Sequence, residues 1–310
     1  MIKVNNLTKR FKGLLAVDDL TFRVSKGEVL GFLGPNGAGK STTMKILTGF
    51  LAADHGCVSI GGHDLGEDPV QVKRLIGYLP EGAPLYGDMT PRSFLEFIAD
   101  IRGLTGKLRK DRLESVIEDV ALGQVLQKKN ETLSKGFKRR VGLAQAMLHD
   151  PEVLILDEPT DGLDPNQKHE VRELIRKMSS NKVVVLSTHI LEEVEAVCSR
   201  AIIISNGKLI SDGTPQELEG MSQYQNAITL TLEVEDVGAI EEALQSLSGV
   251  AKVEHLTSNK PVTRFRVFPV NGQTISTEVA TVLSEHRALV SQLQIERGRL
   301  DEVFRMLTTS

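Results

Sequence analysis

Apolar and polar positions change rhythm several times along the chain, and each change predicts an element. Leu20 to Val24 and, after the turn Ser25-Lys26-Gly27, Val29 to Leu33 read as strands. They lead into a glycine-rich loop and a helix from Lys40 to about Leu47. The unbroken apolar run Val153-Leu154-Ile155-Leu156 stops at Asp157-Glu158, the pattern of a buried parallel strand that delivers carboxylates at its C-terminal end. Val183 to Leu186 and Ala201 to Ile204 predict two further buried strands. Between Pro91 and Gln127 the period becomes helical, with Leu95, Ile98 and Ala99 on one face, and this stretch reads as a helical insertion.

Past the polar stretch from Glu219 to Asn226 the character changes. Ile228, Leu230, Leu232 and Val234 alternate with polar residues, as a half-buried strand does. Val237, Ile240, Leu244 and Leu247 then keep helical spacing. Strands around Val250 to His255 and Thr263 to Val270 follow, then a helix carrying Ile275, Val279, Val282 and Leu283, and a strand near Leu289 to Ile295. The order βαββαβ predicts a ferredoxin-like α+β domain over residues 227–310. A last amphipathic helix bears Leu300, Val303, Phe304 and Leu307. The larger α/β domain is expected over residues 1–220, with its helical subdomain at about 85–150.

Composition narrows the class. The 310 residues are 40% hydrophobic, enough for a sizeable core and a second, smaller domain. A formal charge of −4 lacks the basic excess that phosphate-backbone binding needs, so nucleic acid is disfavoured as a partner. Cys57 and Cys198 are far apart with no CxxC spacing, which suggests neither a disulfide framework nor a zinc site and fits a reducing cytosol. The opening residues carry no apolar leader, and no segment approaches the roughly 18 apolar residues of a membrane span. Any membrane role is therefore expected to come through a partner.

The chemistry lies at the strand ends. Gly34-Pro35-Asn36-Gly37-Ala38-Gly39-Lys40-Ser41-Thr42 meets every required position of GxxxxGK[ST]. Glycines let successive backbone N–H groups face phosphates, and the following helix adds its positive end. Lys40 is placed to reach the β and γ phosphates of ATP and the Ser41 hydroxyl to ligate Mg²⁺. A hard cation needs oxygen ligands, which Asp157 supplies, and Glu158 beside it is placed to orient or deprotonate an attacking water. Taken alone, the glycine loop can be a chance turn and the acidic pair a solvated one. Their joint presence in LILDEP and the P-loop of one chain argues for a nucleotide site.

Over residues 1–220 these motifs resemble the ABC (ATP-binding cassette) ATPases. The resemblance implies a P-loop NTPase fold of that type. It casts Phe11 as the aromatic that stacks on adenine, although a core role for Phe11 stays open. Leu133-Ser134-Lys135-Gly136-Phe137 is similar to the family's signature, with Ser134 as a helix N-cap on a helix running to His149. Ser134 and Gly136 are thereby implied to hold the γ-phosphate of an ATP bound mainly by a second copy, in a head-to-tail dimer. Asp161-Gly162-Leu163-Asp164-Pro165 resembles the D-loop, and His189 the switch histidine that contacts the γ-phosphate.

Two departures stand out. Glu81, in Ile76-Gly77-Tyr78-Leu79-Pro80-Glu81, occupies the place where the family most often has glutamine; a carboxylate there can still bind Mg²⁺. The signature reads LSKGF instead of LSGGQ. Both departures, and the tail Leu300-Asp301-Glu302-Val303-Phe304, are similar to the ABC-2 exporter subgroup of drug, polysaccharide and gliding-motility systems. The resemblance implies a cytoplasmic ATP-hydrolysing subunit that sits on the inner face of the cell membrane through a separate permease.

Overall fold

A computed structural model describes residues 1–233, 236–259 and 262–309. Val234, placed above in the alternating strand, lies outside the described residues, as does Ser310. The chain divides into two compact units, Met1–Thr214 and Pro215–Ser310.

The first unit begins with β1 (Ile2–Phe11) and β2 (Leu14–Val24), passes through β3 (Val29–Leu33) and α1 (Lys40–Leu47), and continues in β4 (His55–Ile60) and β5 (His63–Asp64). Next come α2 (Pro69–Leu75) and β6 (Ile76–Leu79), then the helical stretch α3 (Pro91–Ile101), α4 (Gly106–Asp119) and α5 (Lys135–Met147). The unit closes with β7 (Val153–Asp157), α6 (Pro165–Ser179), β8 (Val183–Thr188), α7 (Leu191–Val197), β9 (Arg200–Ser205) and β10 (Lys208–Gly213).

Two sheets result. One is antiparallel, in the order β2-β1-β4-β5; the other runs β10-β9-β3-β8-β7-β6, and its strands from β9 to β6 are parallel. In β3, β7 and β8 every residue is buried, as expected of parallel strands covered on both faces. Parallel pairing with β7 between β6 and β8 brings several strand C-termini to one edge. That edge is where loops of open α/β sheets collect ligands.

Local chemistry sets the helix starts. Thr90 caps α3 in a reciprocal capping box with Ser93, and Pro91 takes the first helical position, where a missing N–H costs nothing. Some predicted limits shift. The strand expected from Leu20 begins at Leu14, because it pairs with almost the whole of β1, a strand the apolar pattern did not predict. The helix expected to reach His149 ends at Met147, and Asp150 after it has φ 55°, a turn conformation.

The second unit comprises α8 (Pro215–Glu219), β11 (Ile228–Glu233), α9 (Val237–Gln245), β12 (Val250–Asn259), β13 (Val262–Pro269), α10 (Ser276–Glu285), β14 (Leu289–Ile295) and α11 (Leu300–Thr308). Its antiparallel sheet has the order β12-β13-β11-β14, the strand order of a ferredoxin-like fold. Ile228, Leu230, Leu232, Ile240, Leu244, Phe265 and Val279 form its core. β14 is an edge strand exposed along its whole length, so its apolar residues pack less than their spacing implies. α8 belongs to this unit because it packs on α11, next to a hydrogen bond between Ser222 and Glu302.

Cys198 is buried at the end of α7, where burial pushes its thiol pKa well up, whereas Cys57 in β4 is exposed.

Candidate nucleotide site

The glycine loop runs from the end of β3 to the start of α1. At Gly39, the N-cap of α1, φ is 105°, and an added Cβ would lie 2.4 Å from the Ala16 carbonyl oxygen. Both the backbone conformation and the close approach require glycine there. Ala38 N donates to Pro35 O at 3.1 Å and closes the turn that contains Asn36 and Gly37.

Lys40 is buried, and its ammonium donates to the carbonyls of Gly34 at 2.6 Å and Pro35 at 3.2 Å. Burial holds its pKa below the usual lysine value, opposed by the carboxylates of Glu158, Asp157 and Glu81. A cation cradled by carbonyls in the mouth of an anion-binding loop is poised to exchange those weak acceptors for phosphate.

Asp157 ends β7 fully buried. Its Oδ1 accepts from Ser41 Oγ at 3.3 Å and also from Ser187 Oγ, while Oδ2 is buried without a partner. An orphaned buried carboxylate oxygen beside a serine hydroxyl is a hard-oxygen donor set that fits Mg²⁺. Among the described residues no group of three His, Cys, Asp or Glu side chains could hold a metal.

Glu158 follows at φ 50°, the left-handed region that a non-glycine residue occupies at a cost. Its N–H donates to Ser187 O at 3.2 Å and to Ser187 Oγ at 3.0 Å, tying it to the end of β8. One carboxylate oxygen lies 3.0 Å from His189 Nδ1. The histidine ring is about half exposed and the glutamate mostly covered, so the pair forms a rim open to solvent on the histidine side.

Residues from four segments therefore meet: Lys40 and Ser41 from α1, Asp157 and Glu158 from β7 and its loop, Ser187 and His189 from the end of β8, and Glu81 after β6 by its charge on Lys40. Glu81 itself is exposed, and among the described residues it makes no direct bond to Ser41 or Asp157. Thr42, the next residue of α1, is half-buried. Phe11 stands exposed at the end of β1 with the Lys9 ammonium 5.6 Å from its ring centre. An exposed ring of this kind is available for stacking.

Ser134 and Gly136 stand apart from this cluster. Ser134 caps α5 by accepting from Phe137 N at 3.4 Å, and among the described residues neither Ser134 nor Gly136 bonds to the glycine loop. A side chain at Gly136 would meet Gln167 Oε1 at 2.3 Å, so α5 and α6 approach closely there. The Phe137 ring, which replaces a glutamine amide, lies 5.7 Å from the Arg140 guanidinium of the same helix.

Sequence reasoning missed two residues of the site. Ser187 lies one residue past the strand predicted over Val183 to Leu186, and its signal is its register opposite Asp157 in the parallel pair. Arg139, buried behind Glu158, carried no motif signal.

The ABC transporter family model matches residues 17–161. The linearmycin resistance ATP-binding protein LnrL of Bacillus subtilis is 33% identical over 310 residues, covering 99% of this chain and 98% of that protein. Nod factor export ATP-binding protein I of Burkholderia pseudomallei is 38% identical, covering 70% of this chain and 72% of its own length. A solved ATP-binding subunit of an ABC transporter superposes with a TM-score of 0.66 at 32% identity, covering 71% of this chain and 92% of its own.

Proposed function

The chain belongs to the ABC transporter family of ATP-binding proteins and is an ABC ATPase, and from that premise we propose that it is the motor of an ABC-2 type exporter, driving a separate membrane permease. Two copies close head to tail on ATP and open after hydrolysis. Lys40 and the backbone of Gly34 to Gly39 bind the phosphates, Pro35, Asn36, Ala38 and Thr42 shape that cradle, and Phe11 stacks on adenine. Ser41 and Asp157 would hold Mg²⁺, with Glu81 as a further carboxylate whose charge acts on Lys40. The metal, when bound, neutralises phosphate charge and orients the leaving oxygen. Glu158 orients the attacking water and takes its proton, and His189 holds the Glu158 carboxylate and faces the γ-phosphate. Ser134 and Gly136 complete the site of the second copy with the N-terminus of α5.

The observation that carries the catalytic reading is the meeting of Ser41, Asp157, Ser187, Glu158 and His189 through direct hydrogen bonds. Support for the permease is an exposed apolar groove lined by Phe50, Tyr86, Phe97 and Ile101, with Lys45 and Arg102 at its rim, beside the Pro80 loop that leads to Glu81. An amphipathic helix with an acidic flank fits such a groove. No helix among the described residues is long and apolar enough to cross a membrane. The groove's proposed occupant is a cytoplasmic helix of the permease. Export is supported by the relatives named for Nod factor export and linearmycin resistance.

Glu158→Gln tests the reading. It should keep MgATP binding, lose about 10²- to 10⁴-fold in hydrolysis, the usual worth of a general base, and accumulate a nucleotide-dependent dimer on sizing chromatography. Unchanged ATP hydrolysis in this variant would remove Glu158 from its role.

A further inference from the structure

Arg139 is a charged residue of α5, 4% exposed, and among the described residues no carboxylate lies within ion-pair distance of it. Its guanidinium spends its donors on main-chain carbonyls instead. Nη2 donates to Asp157 O at 2.7 Å and also to Glu158 O, Nε to Pro159 O at 3.3 Å, and Nη1 to Pro80 O at 3.0 Å. Three consecutive carbonyls, from the last residue of β7 and the two that follow it, and one from the loop after β6 are thus gathered on one planar fork. Burial lowers its pKa below the usual arginine value, opposed at longer range by Asp161, Asp157, Glu158 and Glu81.

The carbonyls it holds flank the left-handed Glu158, at φ 50°. A residue in that region persists only where its surroundings over-determine it, and the N–H of Glu158 is already fixed by Ser187. We propose that Arg139 is a positioning residue for hydrolysis: it locks the backbone of Glu158 in the catalytic conformation and ties that conformation to α5, whose first turn carries Ser134 and Gly136. A rotation of α5 would then shift the Glu158 carboxylate and the Pro80 loop together. A lysine, with one compact ammonium in place of a five-donor fork, cannot hold four carbonyls in this geometry.

The inference rests on Glu158 acting on the attacking water, and a double-mutant cycle separates the two claims. In the full-length protein, Arg139→Lys should keep MgATP affinity within about threefold and lower kcat at least tenfold. Added to Glu158→Gln, it should cost less than about twofold more, because its effect passes through the missing carboxylate. If the two losses multiply, Arg139 is merely structural and the inference is overturned. Full activity in Arg139→Lys overturns it as well, with the role of Glu158 intact. Wild-type hydrolysis in Glu158→Gln removes both claims. Should Arg139→Lys fail to fold, Arg139→Gln, whose planar amide keeps two donors, takes its place in the same cycle: a kcat loss that vanishes in the presence of Glu158→Gln supports the inference, and one that multiplies with it overturns it.

Discussion

Ser187→Ala removes one oxygen atom from the centre of the site, and the structure sets the size of the effect. The hydroxyl donates to Asp157 Oδ1 and accepts from Glu158 N at 3.0 Å, in a position with no solvent exposure. Neither partner is orphaned by its loss. Asp157 Oδ1 keeps Ser41 at 3.3 Å, and Glu158 N keeps the Ser187 carbonyl at 3.2 Å. The full penalty of an unsatisfied buried group therefore does not apply. What is lost is chiefly one hydrogen bond to a carboxylate, worth about 1.5–3 kcal/mol. For a unit of this size that corresponds to a fall in Tm of roughly 3–12 °C, at about 2–4 °C per kcal/mol. Function should suffer more than binding. Among the described residues no hydrogen bond joins Ser187 to Lys40 or the glycine loop, so MgATP affinity measured by calorimetry should stay within about threefold. Glu158 loses one of the two hydrogen bonds that tether its amide, and kcat should fall by about tenfold or more, the scale of a 1.4 kcal/mol displacement from the productive geometry. Full kcat in Ser187→Ala, together with an unchanged Tm, would refute the claim that this hydroxyl joins the two carboxylate positions.

Gly39→Ala places a methyl group against the Ala16 carbonyl and forces a left-handed alanine, so ATP binding by titration should drop by at least tenfold; near-normal affinity would mean the loop adopts another path. Glu81→Gln removes a charge that Lys40 senses, and should raise metal-free ATP affinity more than MgATP affinity; equal metal dependence in both proteins would place Glu81 outside the metal's influence. Burial lowers the pKa of His149 to about 4, so the folded state resists its protonation, and the stability it contributes is complete above about pH 6.5 and is lost as pH falls towards 4. Urea titrations from pH 7.5 to 4 should show a shallower loss in His149→Gln than in wild type, and parallel curves would contradict the assignment.

The residues legible in the sequence were those whose chemistry is local. The glycine loop needs its spacing because consecutive amides must face one anion, and the run ending in Asp157-Glu158 needs its shape because a parallel strand is buried on both faces. The alternation from Ile228 to Leu232 likewise marked a half-buried strand. Ser187 and Arg139 were not legible, since each acts only through partners brought close by folding. Arg139 bonds to carbonyls 18, 19, 20 and 59 residues away, and main-chain carbonyls carry no residue signature. β14 was found by its apolar residues, yet those residues are exposed, because a sheet edge lacks the neighbour that an inner strand has. α8 joined the second unit for a similarly remote reason, its packing on α11.

The contrast between the two cysteines offers a way to follow the proposed closing of two copies. Thiol reagents attack through the thiolate, and burial denies Cys198 both ionisation and access, whereas Cys57 lies open on β4. A maleimide spin label added to the unmodified chain should therefore attach at one place, on the antiparallel sheet opposite Asn5 of β1. When two copies associate, each pair carries two such labels, and their separation becomes a ruler for association. Pulsed-dipolar distances recorded with and without MgATP in Glu158→Gln would follow closure without a single engineered cysteine.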